Sequence, residues 1–251
     1  MRLFGLIGYP LGHSFSASFF NEKFKAEGHD AEYRNYPLEQ IADFLELLNR
    51  EHDLEGLNVT VPYKQEVISY LDTLSPTAVA IQAVNTISVR RRKGSVELVG
   101  DNTDVIGFRR SLEEHLEPGH RSALVLGTGG SSKAVLYVLE QLGITHTMVS
   151  RTSGDKRITY GELDANKVSA TTLIINTTPL GMHPMDFTYP DIPYEAVTHK
   201  HLLFDLVYNP GKTEFLTRGE AQGAKIVNGH DMLIYQAEAS WDIWNNPGQK
   251  N

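Results

Sequence analysis

A short apolar strand, a glycine turn, an amphipathic helix and a second strand ending in a cation occupy residues 123–152, and few folds accommodate that order. Ala123-Leu-Val-Leu126 is an apolar run of the kind found in parallel strands buried on both faces. Gly127-Thr-Gly-Gly-Ser-Ser132 follows directly. From Lys133 to Leu142, Ala134, Val138 and Leu142 share one stripe with Val135 and Leu139 beside it, which predicts a helix. Gly143 stops that helix, and Thr147-Met-Val-Ser150 reads as the next strand. Glycines at such a turn let the backbone approach a pyrophosphate, and the free N–H groups of the helix N-terminus attract it.

The residue after the second strand selects the dinucleotide. An acid there would hold the ribose 2′-hydroxyl of NAD, whereas arginine suits the 2′-phosphate of NADP. This chain reads Ser150-Arg151-Thr152, with Lys156 close behind and no acid at the strand end. Arg151 can offer a 2′-phosphate charge-assisted hydrogen bonds, so NADP(H) is the expected cofactor. The sixth position of the glycine pattern is Ser132 rather than Gly or Ala, and the bland alternative is an ordinary βαβ turn with a surface arginine.

The formal charge of −8 argues against a nucleic-acid partner, which normally meets a basic face. The basic run Arg90-Arg-Arg-Lys93 precedes Gly94 between the strand-like segments 84–89 and 96–99, so a solvated hairpin tip is expected there. No apolar run approaches the ~20 residues needed to span a bilayer, and the first ten residues show no secretory cleavage pattern. With no cysteine there is no thiol nucleophile and no zinc–thiolate site. The histidines are scattered, and no metal site is expected. A cytoplasmic protein, monomer or homodimer, with small-molecule ligands fits these bounds.

Strand and helix signals alternate along the chain. Arg2–Gly8, Ala31–Tyr36 and Gly56–Val61 read as strands, and helices are expected at about Ser16–Gly28, at Leu38–Arg50 and from Pro62 through Leu71. Later strands are expected at Thr172–Ile175, Leu202–Leu206 and Ala224–Val227, with helices at Val105–Leu116 and Asp231–Trp244. The alternation implies an α/β protein of two domains with largely parallel sheets. The first would comprise 1–101 plus 230–251, completed by the last helix through Leu233, Ile234, Ala237, Trp241 and Trp244. The second, 102–229, would be the Rossmann-like NADP-binding domain, with the active site in a cleft between them.

Polar clusters fall where strands are expected to end. Ser14 and Ser16 flank one phenylalanine in a turn; taken alone, Ser16 reads as a helix N-cap. Alternation puts Asn58 and Thr60 on one strand face, and Pro62 then turns the chain to present Lys64. A lone lysine is ordinarily a solvated charge. Asn85-Thr86, Asp101 and Gln236 follow.

These pieces occur in a recognisable order: Gly8-Tyr-Pro…His13-Ser14-Phe-Ser16, Asn58-Val-Thr-Val-Pro-Tyr-Lys64, Ala83-Val-Asn85-Thr86, Gly100-Asp101-Asn-Thr-Asp104, the glycine turn, Arg151-Thr152, Asn176-Thr-Thr-Pro-Leu-Gly-Met182, Asp205-Leu-Val-Tyr208-Asn-Pro and Gly229…Gln236. Together they closely resemble the shikimate dehydrogenase family over nearly the whole chain. The resemblance implies NADPH-linked reduction of 3-dehydroshikimate to shikimate in aromatic biosynthesis. It gives the substrate carboxylate to Ser14 and Ser16, its hydroxyls to Asn58, Thr60, Asn85, Asp101 and Gln236, and catalysis to Lys64 and Asp101. It places Thr177, Met182 and Gly229 on the nicotinamide side, and phosphates on Gly127, Gly129, Gly130, Ser131 and Arg151, with Ser150, Thr152 and Lys156 beside them. Tyr208 would close the pocket near the carboxylate. Phe15 and Ala17 stand where the family usually has Leu and Pro, and Ser150 where Asn is common.

The chemistry accounts for these residue types. Hydride transfer to a ketone develops negative charge on oxygen, which a donor such as Lys64 must already face. A carboxylate such as Asp101 can orient that amine and grip an adjacent hydroxyl. Two alternatives remain open on sequence. A quinate/shikimate dehydrogenase of the same fold tends to carry threonine for the second serine and an acid near the ribose, and a non-catalytic NADP-sensing regulator would have lost the Lys64–Asp101 pair.

Overall fold

The computed structural model describes residues 1–11, 14–92 and 94–246; Gly12 and His13 of the first turn motif, Lys93 of the basic run and 247–251 of the expected first domain lie outside the described residues. The chain divides into two compact units, Met1–Thr103 with the segment from Ala237, and Asp104–Gln236.

The first unit is built in the order β1 (Arg2–Gly8), α1 (Phe15–Glu27), β2 (Ala31–Pro37), α2 (Asp43–Arg50), β3 (Leu54–Val59), β4 (Thr73–Leu74), α3 (Pro76–Ile81), β5 (Thr86–Arg92) and β6 (Ser95–Asp101). Its sheet runs β2-β1-β3-β5-β6-β4. β1 is parallel to both β2 and β3, and β5 runs against its neighbours β3 and β6. The carboxyl ends of β1, β2, β3 and β6 and the start of β5 therefore share one edge. Helix α1 stops at Gly28, whose φ of 71° suits glycine and whose N–H closes on Phe24 O.

The second unit contains α4 (Asp104–Glu113), β7 (Ser122–Leu126), α5 (Gly130–Gln141), β8 (Thr145–Ser150), β9 (Arg157–Thr159), α6 (Ala165–Ala170), β10 (Leu173–Asn176), β11 (Leu202–Asp205), α7 (Glu214–Ala221) and β12 (Lys225–Val227), and the chain's last helix is α8 (His230–Asn245). Its sheet, β12-β11-β10-β7-β8-β9, is parallel throughout. Read from the β9 edge with β7 as the first strand, this is the doubly wound dinucleotide-binding arrangement, with its reversal between β7 and β10.

The last helix is shared. Its distal end packs an aromatic cluster in the first unit, where Trp241 and Trp244 meet Phe4, Phe20, Phe24 and Tyr33. The Trp244 ring stacks on Phe4 at 4.8 Å and its Nε1 donates to Ile87 O at 3.0 Å. Gly56 leaves the space that this indole fills. The helix's first turns belong to the second unit instead. A Cβ on Gly107 of α4 would lie 2.5 Å from Met232 O, and Arg110 lies 4.0 Å over the Tyr235 ring. The two compact units thus meet along the chain at 103/104 and 236/237.

Three elements differ from expectation. Helix α2 begins at Asp43, not Leu38, because Leu38 N–H is held by Gly8 O at 3.1 Å and the chain turns before the helix starts. After Pro62 the chain makes a turn and a short 3₁₀ segment, Glu66–Tyr70, in place of a continuous helix. Arg90 to Arg92 lie within β5, with Arg90 opposite Glu97 and Arg91 opposite Val96, so the basic run is mostly strand and not hairpin tip.

Candidate active site

Each unit has a glycine at its topological switch point, where ligands of open α/β sheets gather. In the first unit it is Gly8, at the end of β1. A Cβ there would stand 2.5 Å from the Thr60 methyl and 2.9 Å from Val61 O. Thr60 N–H donates to Ile7 O at 2.9 Å and Tyr9 N–H to Val61 O at 3.1 Å, so the ends of β1 and β3 are laced together. In the second unit it is Gly127, with φ of 107°, where a Cβ would lie 2.8 Å from Thr177 Oγ1.

The first unit brings Lys64 and Asp101 to one place. Val84 N–H donates to Lys64 O at 2.7 Å, and the next amide, Asn85 N–H, donates to Asp101 O at 3.0 Å. One dipeptide thereby holds both backbones. Both residues are half-buried. The Asp101 carboxylate is oriented through Oδ1, which accepts from Ser75 Oγ at 2.9 Å and from Asn102 N–H at 2.7 Å. Across the sheet, Asn58 pairs with Thr86 and Thr86 with Asp101, a row of polar residues on three neighbouring strand ends.

Beneath that row lies a buried hydroxyl cluster. Thr86 Oγ1, Thr103 Oγ1 and Ser240 Oγ are mutually within 2.9–3.2 Å. Asn85 Nδ2 donates to Thr103 Oγ1 at 3.0 Å, and Asn85 Oδ1 accepts from Thr103 N–H at 2.7 Å. Asn58 Nδ2 faces Ser240 Oγ at 3.0 Å, Asn85 O at 3.2 Å and Thr86 Oγ1 at 3.3 Å, while Asn58 Oδ1 accepts from Tyr33 OH at 2.8 Å. Asn58 is only 5% exposed and its amide is engaged at both ends, so it ties strand ends together. Burial also pushes the Tyr33 phenol well up in pKa, against the opposing hydrogen bond from Ser16.

Ser14, not Ser16, caps α1: its Oγ accepts from Ala17 N–H at 3.1 Å and donates to Asn35 Oδ1 at 2.9 Å. Ser16 sits in the first helical turn, half-buried. Two hydroxyls at a helix N-terminus form a favourable place for an anion. Gln236 is buried and its Nε2 donates to Leu233 O at 3.0 Å within its own helix, four residues before Ser240.

In the second unit the glycine turn leads into α5. Gly129 occupies the N-cap position with no side-chain cap, and a Cβ built on it meets nothing within 4 Å. The open space and uncapped amides of Gly130 and Ser131 form a cradle that fits a dinucleotide pyrophosphate. Ser132 is consistent with the same turn: its Oγ donates to Gly129 O at 2.6 Å and is buried. Arg151, Thr152 and Lys156 are exposed beyond β8, as a 2′-phosphate site requires. Ser150 Oγ donates to Thr152 O at 2.6 Å and accepts from Thr152 N–H at 3.2 Å, which shapes the turn behind Arg151.

Thr177 N–H and Oγ1 both donate to Leu126 O, at 2.9 and 2.7 Å, closing the switch point beside Gly127. Met182 and Tyr208 are exposed on loops that follow β10 and β11, and these loops are joined by His183 N–H to Asn209 O at 3.1 Å. Gly229 N–H donates to Val207 O at 3.1 Å, and a Cβ on Gly229 would collide with Leu206 O. Sequence reasoning assigns no site role to Tyr33, Ser75, Thr103 or Ser240, because their partners are distant in the chain and only the fold brings them together.

A family model described as the shikimate dehydrogenase substrate binding domain matches residues 6–87. A protein of Oleidesulfovibrio alaskensis named Shikimate dehydrogenase (NADP(+)) is 38% identical over 256 residues, covering 97% of this chain and 89% of that protein. One of the same name from Halothermothrix orenii is 39% identical over 269 residues, covering 97% and 90%. The crystal structure of shikimate 5-dehydrogenase from Thermus thermophilus in complex with NADP(H) and shikimate superposes with a TM-score of 0.85 at 28% identity, covering 98% of this chain and 94% of that one.

Proposed function

The chain belongs to the shikimate dehydrogenase family, and on that premise we propose that Lys64 and Asp101 are its catalytic pair. The enzyme is an NADP-dependent oxidoreductase that interconverts 3-dehydroshikimate and shikimate in aromatic amino-acid biosynthesis. The observation that carries the residue assignment is the Val84–Asn85 dipeptide, whose consecutive amides hold Lys64 and Asp101 side by side.

The bound cofactor supplies or accepts the hydride. Lys64 faces the ketone oxygen, stabilises its developing charge and delivers a proton to it; in the oxidative direction the neutral amine takes the hydroxyl proton. Asp101 orients the amine and accepts a hydrogen bond from a neighbouring substrate hydroxyl. Ser75 Oγ and Asn102 N–H fix its carboxylate for that task before substrate arrives. Asn58, Thr60 and Asn85, at adjacent strand ends, hold further hydroxyls. Ser14 and Ser16, at the start of α1, hold the substrate carboxylate. An analogue lacking a hydroxyl would leave buried donors unpaired and is rejected accordingly. In the second unit, the α5 amides hold the pyrophosphate and Arg151 the 2′-phosphate. We assign the enzyme to the cytoplasm, as a monomer or homodimer.

The test follows NADPH absorbance with 3-dehydroshikimate, then the reverse reaction with shikimate or quinate and with NADP⁺ or NAD⁺. Turnover selective for shikimate and NADP⁺ is expected. Equal turnover of quinate would favour the broader quinate/shikimate activity, and full activity in a Lys64→Ala enzyme would remove Lys64 from the mechanism.

A further inference from the structure

Asp205 ends β11 with its side chain 0% exposed, and the groups that donate hydrogen bonds to it are neutral. Desolvation pushes its carboxyl up to about 6, against the downward pull of hydrogen bonds from Thr213, Val207 and Asn176. Ionised at neutral pH, it is held against its own burial, which a purely structural position would ordinarily fill with an apolar or amide side chain. Fully enclosed, it touches neither cofactor nor substrate.

Its three bonds run to three separate segments. Oδ1 accepts from Asn176 Nδ2 at 2.9 Å. That fixes the amide so that Asn176 Oδ1 receives Thr178 N–H at 3.0 Å and Thr178 Oγ1 at 2.6 Å, shaping the loop that carries Thr177 and Met182. Oδ1 also accepts from Val207 N–H at 3.0 Å, within the segment leading to Tyr208 and holding Gly229 through Val207 O. Oδ2 accepts from Thr213 Oγ1 at 2.5 Å. Thr213 caps α7 and packs under Gly181, where a Cβ would lie 3.1 Å from its own. Gly181 has a φ of 87° and precedes Met182 directly.

We propose that Asp205 is a positioning residue for the nicotinamide half of the cofactor site, setting the loop after β10, the segment after β11 and Gly229 in one arrangement. The inference rests on the reading of Thr177, Met182 and Gly229 as nicotinamide-side residues. It differs from the phosphate cradle, which is made by the α5 turn and shares none of these bonds.

The test compares Asp205→Asn and Thr213→Val with wild type, and Thr213→Ser as the variant that keeps the hydroxyl. Binding of NADP⁺ is measured alongside binding of adenosine 2′,5′-bisphosphate, which lacks the nicotinamide half, together with kcat and both KM values. Misplacement of about 1 Å at a reacting group can cost a hundredfold, so kcat should fall at least about tenfold in Asp205→Asn and Thr213→Val. NADP⁺ affinity should weaken, adenosine 2′,5′-bisphosphate affinity should hold, and Thr213→Ser should restore both properties. Equal weakening of both ligands, or unchanged kcat and NADP⁺ affinity in Thr213→Val, would overturn the inference. Should Asp205→Asn fail to fold, the Thr213 pair decides alone. A Met182→Ala control separates the premise: if it changes NADP⁺ binding and the Asp205 and Thr213 variants do not, only the inference falls; if it too is silent, the nicotinamide-side reading falls with it.

Discussion

The two switch points use one device and then diverge. Gly8 in the first unit and Gly127 in the second each end a central strand, and the missing Cβ of each admits a threonine from the neighbouring strand end, Thr60 and Thr177. Beyond that glycine, the second unit offers backbone: uncapped α5 amides beside the open space over Gly129. The first unit offers side chains gathered from β3, β5 and β6 and braced from below by Ser240 of α8. The difference follows from the ligands. A phosphate asks for charge and N–H donors, which any residue's backbone supplies, whereas a small polyol needs donors and acceptors at fixed points, and only buried, cross-braced side chains provide them. The backbone site should therefore be sensitive to an added Cβ, and the side-chain site to loss of a single polar atom.

The largest expected effect lies in the first unit. Lys64→Ala should lower kcat by about 10²–10⁴-fold, the range for general acid–base groups, with little change in KM or melting temperature. Steady-state kinetics in both directions checks this. A rise in KM with kcat intact would make Lys64 a binding residue. The second unit's counterpart is a pair of alanines two residues apart. Gly127→Ala meets Thr177 Oγ1 at 2.8 Å with φ of 107°, so it should destabilise the fold by about 1–3 kcal/mol. Gly129→Ala, with φ of −73° and open space around it, should fold as well as wild type or gain about 0.4–1 kcal/mol. It should nevertheless bind NADPH poorly, because its Cβ fills the approach to the pyrophosphate. Melting and NADPH titration of both variants separate strain from occlusion; undiminished NADPH binding by Gly129→Ala would break the claim that this site is backbone.

The same contrast explains what is legible in the sequence. The second unit's site is contiguous: Gly127 to Ser132 supplies the cradle, and Arg151 follows one strand later, so local pattern suffices. In the first unit the pieces Ser14, Lys64, Asn85 and Asp101 are visible as polar residues at strand ends, yet their convergence is a property of the β1-β3-β5-β6 order. The braces are harder still. Ser240 and Thr103 are ordinary residues until the fold places them within 3.1 Å of each other. For Asn58, alternation gives the strand face correctly but not what covers that face. Short elements escape for a different reason: α3 begins at Ser75-Pro76, a serine cap followed by proline, but is only six residues long, too short to show a period.

Asn58 sharpens the comparison further. Asn58→Leu leaves Tyr33 OH and the hydroxyl cluster short of partners, and unsatisfied buried groups cost about 1–3 kcal/mol each, so the fold should lose roughly 2–4 kcal/mol. Thr177→Val removes one bond to Leu126 O but keeps the backbone N–H bond to the same oxygen, and should cost about 1 kcal/mol or less. Denaturant unfolding of both variants measures the gap. If Asn58→Leu unfolds like wild type and raises only the KM for shikimate, Asn58 is a substrate contact and not a brace. At the surface of the second unit, Arg151→Ala should leave stability unchanged and weaken NADPH by about 1.5–3 kcal/mol, the worth of a charged hydrogen bond, with a smaller change for NADH. Equal losses for both cofactors would show that the arginine does not read the 2′-phosphate.

The smallest effects come from two buried serines that differ only in their company. Ser132 Oγ makes one local bond, to Gly129 O three residues back, inside a helix where alanine is intrinsically favoured. Ser132→Ala loses about 0.5–1.5 kcal/mol of hydrogen bond and regains part of it as helix propensity, so its stability and NADPH affinity should sit close to wild type. Ser240, also on a helix, gains the same propensity but meets Asn58, Thr86 and Thr103 together. Ser240→Ala should therefore be the more damaging change, lowering stability by about 1–3 kcal/mol through the partners it strands, and raising the shikimate KM because Asn85 is braced through Thr103. Side-by-side melting curves and shikimate titrations decide it. Equal, near-zero effects for the two serines would mean that the cluster under the first unit's strand ends does not hold the substrate residues in place, and the contrast between a side-chain site and a backbone site would lose its physical basis.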